Sequence, residues 1–274
     1  NVETLALVLH KYEFEDIRLI SRIHGFDLYD ERMPHGRQPF RKTMNDKLDR
    51  LFFIAQTGLD YYADKMGGSD PNKHVLRRLG TEKIENYNEG VWESKKRTNF
   101  LLVSCSNIIP VKRIEVIIQA LEKIEAFNIT WVHFGDGSGR ESIEQKAFDV
   151  LGHKNNIQYE FKGQTDNKEI LSFYKNHFVD SFITTSQSEG CPVSIQEAMS
   201  LGMPIIATAV GEIPNMIVGN GILLTENPTP EETANAIIKL YNMSKGEIDV
   251  MRKCSRILWE QYFNADKNFK DFAE

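Results

Sequence analysis

The hydrophobic positions of this 274-residue chain change rhythm near residue 100. From Phe100 onward, short apolar runs rich in strand formers alternate with segments whose apolar residues recur at helical spacing. FLLVSCS, ITWVHFG, NIQYEF, DSFITTS, PIIATAV and GILL read as strands. IEVIIQALEKIEAF, SGRESIEQKAFDVLG, NKEILSFYKNH, SIQEAMSLG and EETANAIIKLYNM read as helices. Gly152 and Gly202 are expected to close two of them, and Asp166 with Glu169 predicts a capping box at the start of NKEILSFYKNH. Thr229, Pro230 and Glu232 supply an N-cap, N1 and N3 signature, and a last amphipathic stretch runs from Gly246 to Phe263. Strands alternating with helices of this length predict an α/β fold of βαβ units, with a parallel sheet covered on both faces.

Residues 1 to 97 have a different texture. A helical opening (VETLALVLHKY) is followed by a strand candidate (IRLISRIH), a polar stretch (DERMPHGRQPFR), a second strand candidate (RLFFIAQ) and a helix (GLDYYADKMG). GTEKIENYNEGVWESKKRTN lacks a period and reads as a linker. The expected division is a partial N-terminal α/β domain with linker (1–97), a Rossmann-like nucleotide-binding domain (98–252) and a closing helix (253–274). The chain begins at Asn1 rather than Met, inside what reads as a helix, so a fragment is expected.

Charge and cysteine content narrow the partners. Lys and Arg total 33 against 39 Asp and Glu, a net charge of −6, so no global basic field invites nucleic acid. The clusters Arg77-Arg78 and Lys95-Lys96-Arg97 read as solvated surface. Cys105, Cys191 and Cys254 show no CxxC spacing, which argues against a disulfide framework or a zinc site and makes a reducing cytoplasm the expected compartment. No run approaches the ~18 apolar residues of a membrane span, and no stretch reads as a signal peptide.

Right-handed crossovers place the carboxyl ends of parallel strands along one edge, where open α/β sheets bind ligands. Four loops share that edge: Asn107 to Arg113, Gly135 to Gly139, Lys162-Gly163, and Gln187 to Pro192. Gly135, Asp136 and Gly137 let backbone approach a ligand, though GDGSG lacks the spacing of a dinucleotide fingerprint. Lys112 at a helix start is better placed with an anion beside it. In the fourth loop, Pro192 suits the first helical turn, which leaves the N–H groups of Cys191, Val193 and Ser194 pointing toward a ligand. A diphosphate there would be held without a metal or cofactor. Glu189 and Glu197, eight positions apart, would flank it and accept hydrogen bonds from hydroxyls, one from a ribose and one from a sugar. Taken singly, each of these residues also reads as ordinary surface; the combination points to a site.

Ser186 to Ala207 (SQSEGCPVSIQEAMSLGMPIIA) resembles the signature of glycosyltransferase family 4, retaining enzymes of the GT-B fold, whose E-x7-E motif matches Glu189 and Glu197. The likeness runs from about Phe100 to the end, including Trp259, Phe263 and Asn268, where related enzymes cross back to their first domain. Upstream, SRIHGFDLY resembles part of the N-terminal domain of a bacterial polysaccharide-type subgroup. The resemblance implies Glu197 on the ribose, Glu189 on the transferred sugar, Lys112 on the diphosphate, and the backbone of Gly190, Cys191, Pro192, Val193 and Ser194 along sugar and phosphates. It further implies Lys162 and Gly163 near the base, and His24 with Arg22 facing the cleft from the other domain. Asn107 stands where the family usually has a phosphate-binding arginine, and Arg113, in place of a common glycine, is the candidate substitute. GEIPN, at Gly211 to Asn215, departs from the usual Gly-Gly-x-x-Glu.

The implied activity is retaining transfer of a sugar from a nucleoside-diphosphate sugar to an acceptor hydroxyl, in cell-surface polysaccharide or glycoconjugate synthesis. Lys112 and the helix N-terminus would stabilise the departing diphosphate. The implied partners are a nucleotide-sugar donor and a carbohydrate or lipid-linked acceptor, the latter bringing peripheral contact with the inner face of the membrane. Two alternatives stay open: a non-catalytic nucleotide-sugar binding module, and a sugar-nucleotide epimerase of the same fold. A dehydrogenase lacks its glycine fingerprint here.

Overall fold

A computed structural model of the chain describes residues 18–33, 35–84 and 99–273. The predicted opening helix and most of the predicted linker lie outside them. The chain forms two compact units, one ending at Leu79 and taking in the segment from Lys267 onward, the other running from Gly80 to Asp266. The first unit ends at Leu79, where a boundary near residue 97 was expected, and the C-terminal stretch expected to pack back toward the N-terminal domain consists of the end of one helix and a second helix, its residues from Lys267 onward falling in the first unit.

The first unit comprises β1 (Ile20–Ile23), α1 (Gly25–Leu28), α2 (Arg41–Lys47), β2 (Arg50–Phe53), α3 (Gln56–Met66) and β3 (His74–Leu76), with a parallel sheet ordered β1-β2-β3. Leu28, Leu48, Leu51, Phe53 and Tyr62 form its core. Beside that core, the Asp70 amide donates to His74 Nδ1 at 3.2 Å, which leaves the ring proton on Nε2 to donate to Asn45 Oδ1 at 2.8 Å. Burial lowers the His74 pKa and keeps the ring neutral.

The second unit comprises β4 (Phe100–Cys105), α4 (Ile114–Glu122), β5 (Ile129–Phe134), α5 (Arg140–Leu151), β6 (Ile157–Gly163), α6 (Asn167–Asn176), β7 (Ser181–Thr184), α7 (Val193–Ser200), β8 (Ile205–Thr208), α8 (Ile213–Met216), β9 (Gly221–Leu224), α9 (Pro230–Asn242) and α10 (Lys245–Tyr262). A last helix, α11 (Ala265–Ala273), carries the chain into the segment that joins the first unit. The six strands are parallel, in the order β6-β5-β4-β7-β8-β9. This is the doubly wound Rossmann-like order, reversing direction between β4 and β7.

Side chains alternate across that sheet with the period of two that a pleated strand imposes. Leu102, Trp131, Ile183 and Ile206 pack on one face with α4 and α9, while Val103, Val132, Phe182 and Ile205 pack on the other with α6 and α7. Burial on both faces explains why these strands read as continuous apolar runs.

Helix ends follow local chemistry, with one departure. The Glu232 amide donates to Thr229 Oγ1 at 3.1 Å, as expected for α9. Asp166 occupies the N-cap of α6, but its carboxylate makes no capping bond; its carbonyl instead accepts from the amides of Glu169 and Ile170. Gly202 adopts φ +63°, whereas Gly152 closes α5 in a right-handed conformation.

Candidate active site at the sheet switch point

Between β4 and β7 the chain turns outward to opposite sides of the sheet, so the loops after these strands lie next to each other. The first passes through a single 3-10 turn (Pro110–Lys112) to Arg113, which holds φ 48° and ψ 42°. This left-handed conformation costs a residue with a Cβ roughly 1–2 kcal/mol, which accounts for a glycine being common at the position. Arg113 offsets that cost with its guanidinium. Nε donates to the Thr185 carbonyl at 2.7 Å, Nη2 to the Ser186 and Glu226 carbonyls at 3.0 and 2.7 Å, and Nη1 to Asn227 Oδ1 at 2.9 Å. Arg113, the expected substitute for the phosphate-binding arginine, thus directs four donors to carbonyl oxygens of the protein itself. Lys112, one residue earlier, sends Nζ across to Glu189 Oε1 at 2.5 Å, with side chains 20% and 13% exposed. Asn107 is exposed on the same loop.

The Glu189 loop is held from two sides. The Gln187 amide donates to the Val111 carbonyl at 2.8 Å, and the Glu212 amide to the Gly190 carbonyl at 2.9 Å. Gly211 has φ +55°, and a Cβ there would collide with the Glu189 carbonyl, so only glycine lets the two backbones meet. The altered GEIPN segment thus buttresses the carboxylate loop. Pro192 is the N-cap of α7, extended at φ −66° and ψ 122°. The amides of Val193 and Ser194 fall in the first turn, which has no intrahelical acceptors for them. Val193 is exposed, Ser194 half-buried, and half-buried Cys191 receives the Gln196 Nε2 amide at 3.3 Å on Sγ.

Glu197 lies one turn into α7 and is only 8% exposed. Asn167 Nδ2 donates to its Oε1 at 2.7 Å. Burial raises the Glu197 pKa and the Asn167 bond opposes that rise. Behind it, burial and the Glu197 charge push the Cys105 thiol up to about 12, so it stays protonated, and burial raises the Tyr174 phenol as well. The wall is desolvated, and a carboxylate there gains from any hydroxyl that donates to it.

The remaining predicted residues take supporting positions. A Cβ at Gly135 (φ +131°) would meet the Ser106 carbonyl, and the Gly135 amide donates to Gly163 at 3.0 Å, which ties the loops after β4, β5 and β6 together. Asp136 Oδ1 accepts from the Gly137 amide at 2.7 Å and Oδ2 from Arg140 at 2.9 Å, and these bonds lower its pKa. Lys162 is exposed and pairs with Glu160 at 2.6 Å, while Gly163 is buried. His24 belongs to the first unit, exposed at the N-cap of α1, and the Arg22 guanidinium in that unit lies 4.1 Å over the Phe272 ring.

Sequence reasoning missed Asn167 and the neighbouring hollow. A cavity of about 620 Å³ opens beside Glu197, lined by Thr81, Ile84, Asn167, Lys168, Leu171 and Ser200. Thr81 is fixed there by Trp259 Nε1, which donates to its Oγ1 at 2.8 Å. Asn167 comes just after a capping signature, and that reading absorbed it; its contact to Glu197 spans 30 positions and has no local signal.

The family described as "Glycosyl transferases group 1" matches residues 89–255, more than half of the chain. An uncharacterized glycosyltransferase of Methanocaldococcus jannaschii is 27% identical over 225 residues, covering 81% of this chain and 58% of that protein. The putative teichuronic acid biosynthesis glycosyltransferase TuaC of Bacillus subtilis is 25% identical over 265 residues, covering 94% of this chain and 64% of that one. The chain thus spans less than two thirds of these relatives. Among solved structures, Anabaena HepE in complex with UDP superposes with a TM-score of 0.77 at 17% identity, covering 98% of this chain and 74% of that one. Sucrose-phosphate synthase from Thermosynechococcus elongatus gives 0.75 at 17% identity, over 98% and 69%. The fold is of the GT-B type.

Proposed function

This chain belongs to the glycosyl transferases group 1 family, and from that premise we propose that it moves a sugar from a nucleoside-diphosphate sugar to an acceptor hydroxyl with retention at the anomeric carbon. The observation that carries this reading is the placement of Lys112–Glu189 and Glu197 on either side of the α7 N-terminus. Glu197 accepts the ribose hydroxyls, Glu189 the hydroxyls of the transferred sugar, and the diphosphate lies at the helix start with Lys112. As the glycosidic bond to the diphosphate breaks, charge grows on the leaving phosphate. Lys112 and the Val193 and Ser194 amides stabilise that charge more in the transition state than before it, and this difference speeds the reaction. No metal is assigned a part in this step. The acceptor is a carbohydrate, free or lipid-linked, as befits cell-surface polysaccharide synthesis, and the protein works on the cytoplasmic side of the membrane. HepE holds UDP, which makes UDP and UDP-glucose the first ligands to test.

The test has two stages. Calorimetry with UDP, GDP and their sugars should show binding, and Glu197→Gln should weaken it by roughly tenfold, the loss expected when a charged acceptor is replaced. In a transfer assay Lys112→Ala should lower kcat by about 10²-fold, the usual effect of removing one group that stabilises developing charge. Wild-type rates in Lys112→Ala would sink the mechanism, and no binding of any nucleotide would sink the assignment.

A further inference from the structure

We infer that Glu189 makes this site discriminate the intact nucleoside-diphosphate sugar from the nucleoside diphosphate left after transfer, by competing with phosphate for Lys112. The inference rests on the reading of this site as a donor site.

Lys112 and Glu189 meet at 2.5 Å with both side chains mostly covered, so the ammonium beside the helix start is already neutralised by a carboxylate. On that loop Asn107 is uncharged, and the Arg113 guanidinium directs its donors to Thr185, Ser186, Glu226 and Asn227. A diphosphate that takes Lys112 must therefore draw it away from Glu189. The backbone that carries the carboxylate is held in place. Its loop is pinned by Gln187 to Val111 and by Glu212 to Gly190, with Gly211 wedged against the Glu189 carbonyl.

The balance then turns on the group that the terminal phosphate carries. When a sugar is attached, its hydroxyls can donate to the carboxylate that lost its ammonium, and every group is satisfied. When the sugar is gone, the terminal phosphate bears additional negative charge and offers no donor, so two anions share one half-covered cation. Like charges so placed repel, and the repulsion weakens product binding without weakening donor binding. One carboxylate thus grips the donor's sugar and afterwards helps expel the product.

The experiment is calorimetric titration of the whole chain as wild type, Glu189→Gln, Lys112→Gln and the double variant, with UDP against UDP-glucose and GDP against GDP-mannose. Glu189→Gln should bind the nucleoside diphosphate tighter by roughly tenfold or more, while the sugar nucleotide binds no tighter, so that the preference between them collapses. Lys112→Gln should cost more affinity for the diphosphate in the Glu189→Gln background than in wild type, because the amide leaves the ammonium free for phosphate. Should Glu189→Gln fail to fold, Glu189→Ser removes the same charge and carries the same expectation. A wild-type chain that binds these nucleotides, with Glu189→Gln binding UDP and GDP no tighter, overturns this inference and leaves the donor site standing. Binding of none of the four ligands by wild type overturns both.

Discussion

Glu197 holds its charge in a wall that raises the carboxyl pKa by burial, and the Asn167 amide 2.7 Å away is the group that counters the rise. Removing that amide should raise the Glu197 pKa further, so the ionised form would be lost at a higher pH as acid is added. UDP affinity measured against pH should then fall off at a higher pH in Asn167→Ala than in wild type. A pH profile with the wild-type midpoint would show that Asn167 does not tune Glu197. The placement of Glu189 in the loop before a Pro-started helix and of Glu197 within that helix was legible because loop and helix are contiguous in sequence. The partners of Arg113 and Asn167 were not legible, for the opposite reason. They lie 72 and 30 positions away, and no local pattern distinguishes an arginine awaiting phosphate from one holding carbonyls.

Among the helices, α6 and α10 begin with the same kind of signature and use it differently. At α10 the Glu247 amide donates to Ser244 Oγ at 3.3 Å while Glu247 Oε2 accepts from the Ser244 amide at 2.8 Å, a reciprocal box. At α6 the Asp166 carboxylate makes no such bond. Ser244→Ala should therefore lower unfolding free energy by about 1 kcal/mol. Asp166→Ala should stay within roughly 0.5 kcal/mol of wild type. Urea unfolding of both variants checks the pair, and equal losses would contradict the geometry. Periodicity found the long alternating elements from Phe100 onward but not α2 or β3. The sequence RKTMNDK buries no residue in α2, so it has no apolar face to count, and three-residue β3 is too short to show alternation.

For the molecule as a whole, acid sensitivity is written into the middle of the six-stranded sheet. Trp131 Nε1 donates to Ser104 Oγ at 2.9 Å, and Ser104 Oγ in turn lies at hydrogen-bond distance, 2.8 Å, from Nδ1 of the fully buried His133. Burial lowers the His133 pKa to about 4 from an ordinary 6.5. The unfolded chain therefore binds this proton first. The contribution of the neutral ring to stability is complete above pH 6.5, declines as pH falls toward 4, and amounts to about 3 kcal/mol at 1.36 kcal/mol per unit. Unfolding free energies measured at pH 7 and pH 4 should differ by about that much more in wild type than in His133→Asn; equal differences would remove the ring from the account. The parallel sheet and the shared edge of its loops followed from alternation and handedness. The limits of the two units did not, because the segment from Lys267 joins strands that lie nearly the whole chain earlier, as when Asn268 Nδ2 donates to the Leu79 carbonyl.

One side chain sets how such a site can be altered. The Arg113 guanidinium fastens the turn after β4 to the end of β7 and to the segment after β9. Exchanging the Glu189 loop alone for that of a relative would place foreign carbonyls before an unchanged arginine, and exchanging residue 113 alone would release two loops at once. The three segments are therefore coupled as a block, and a chimera that respects the block is the one expected to keep its shape.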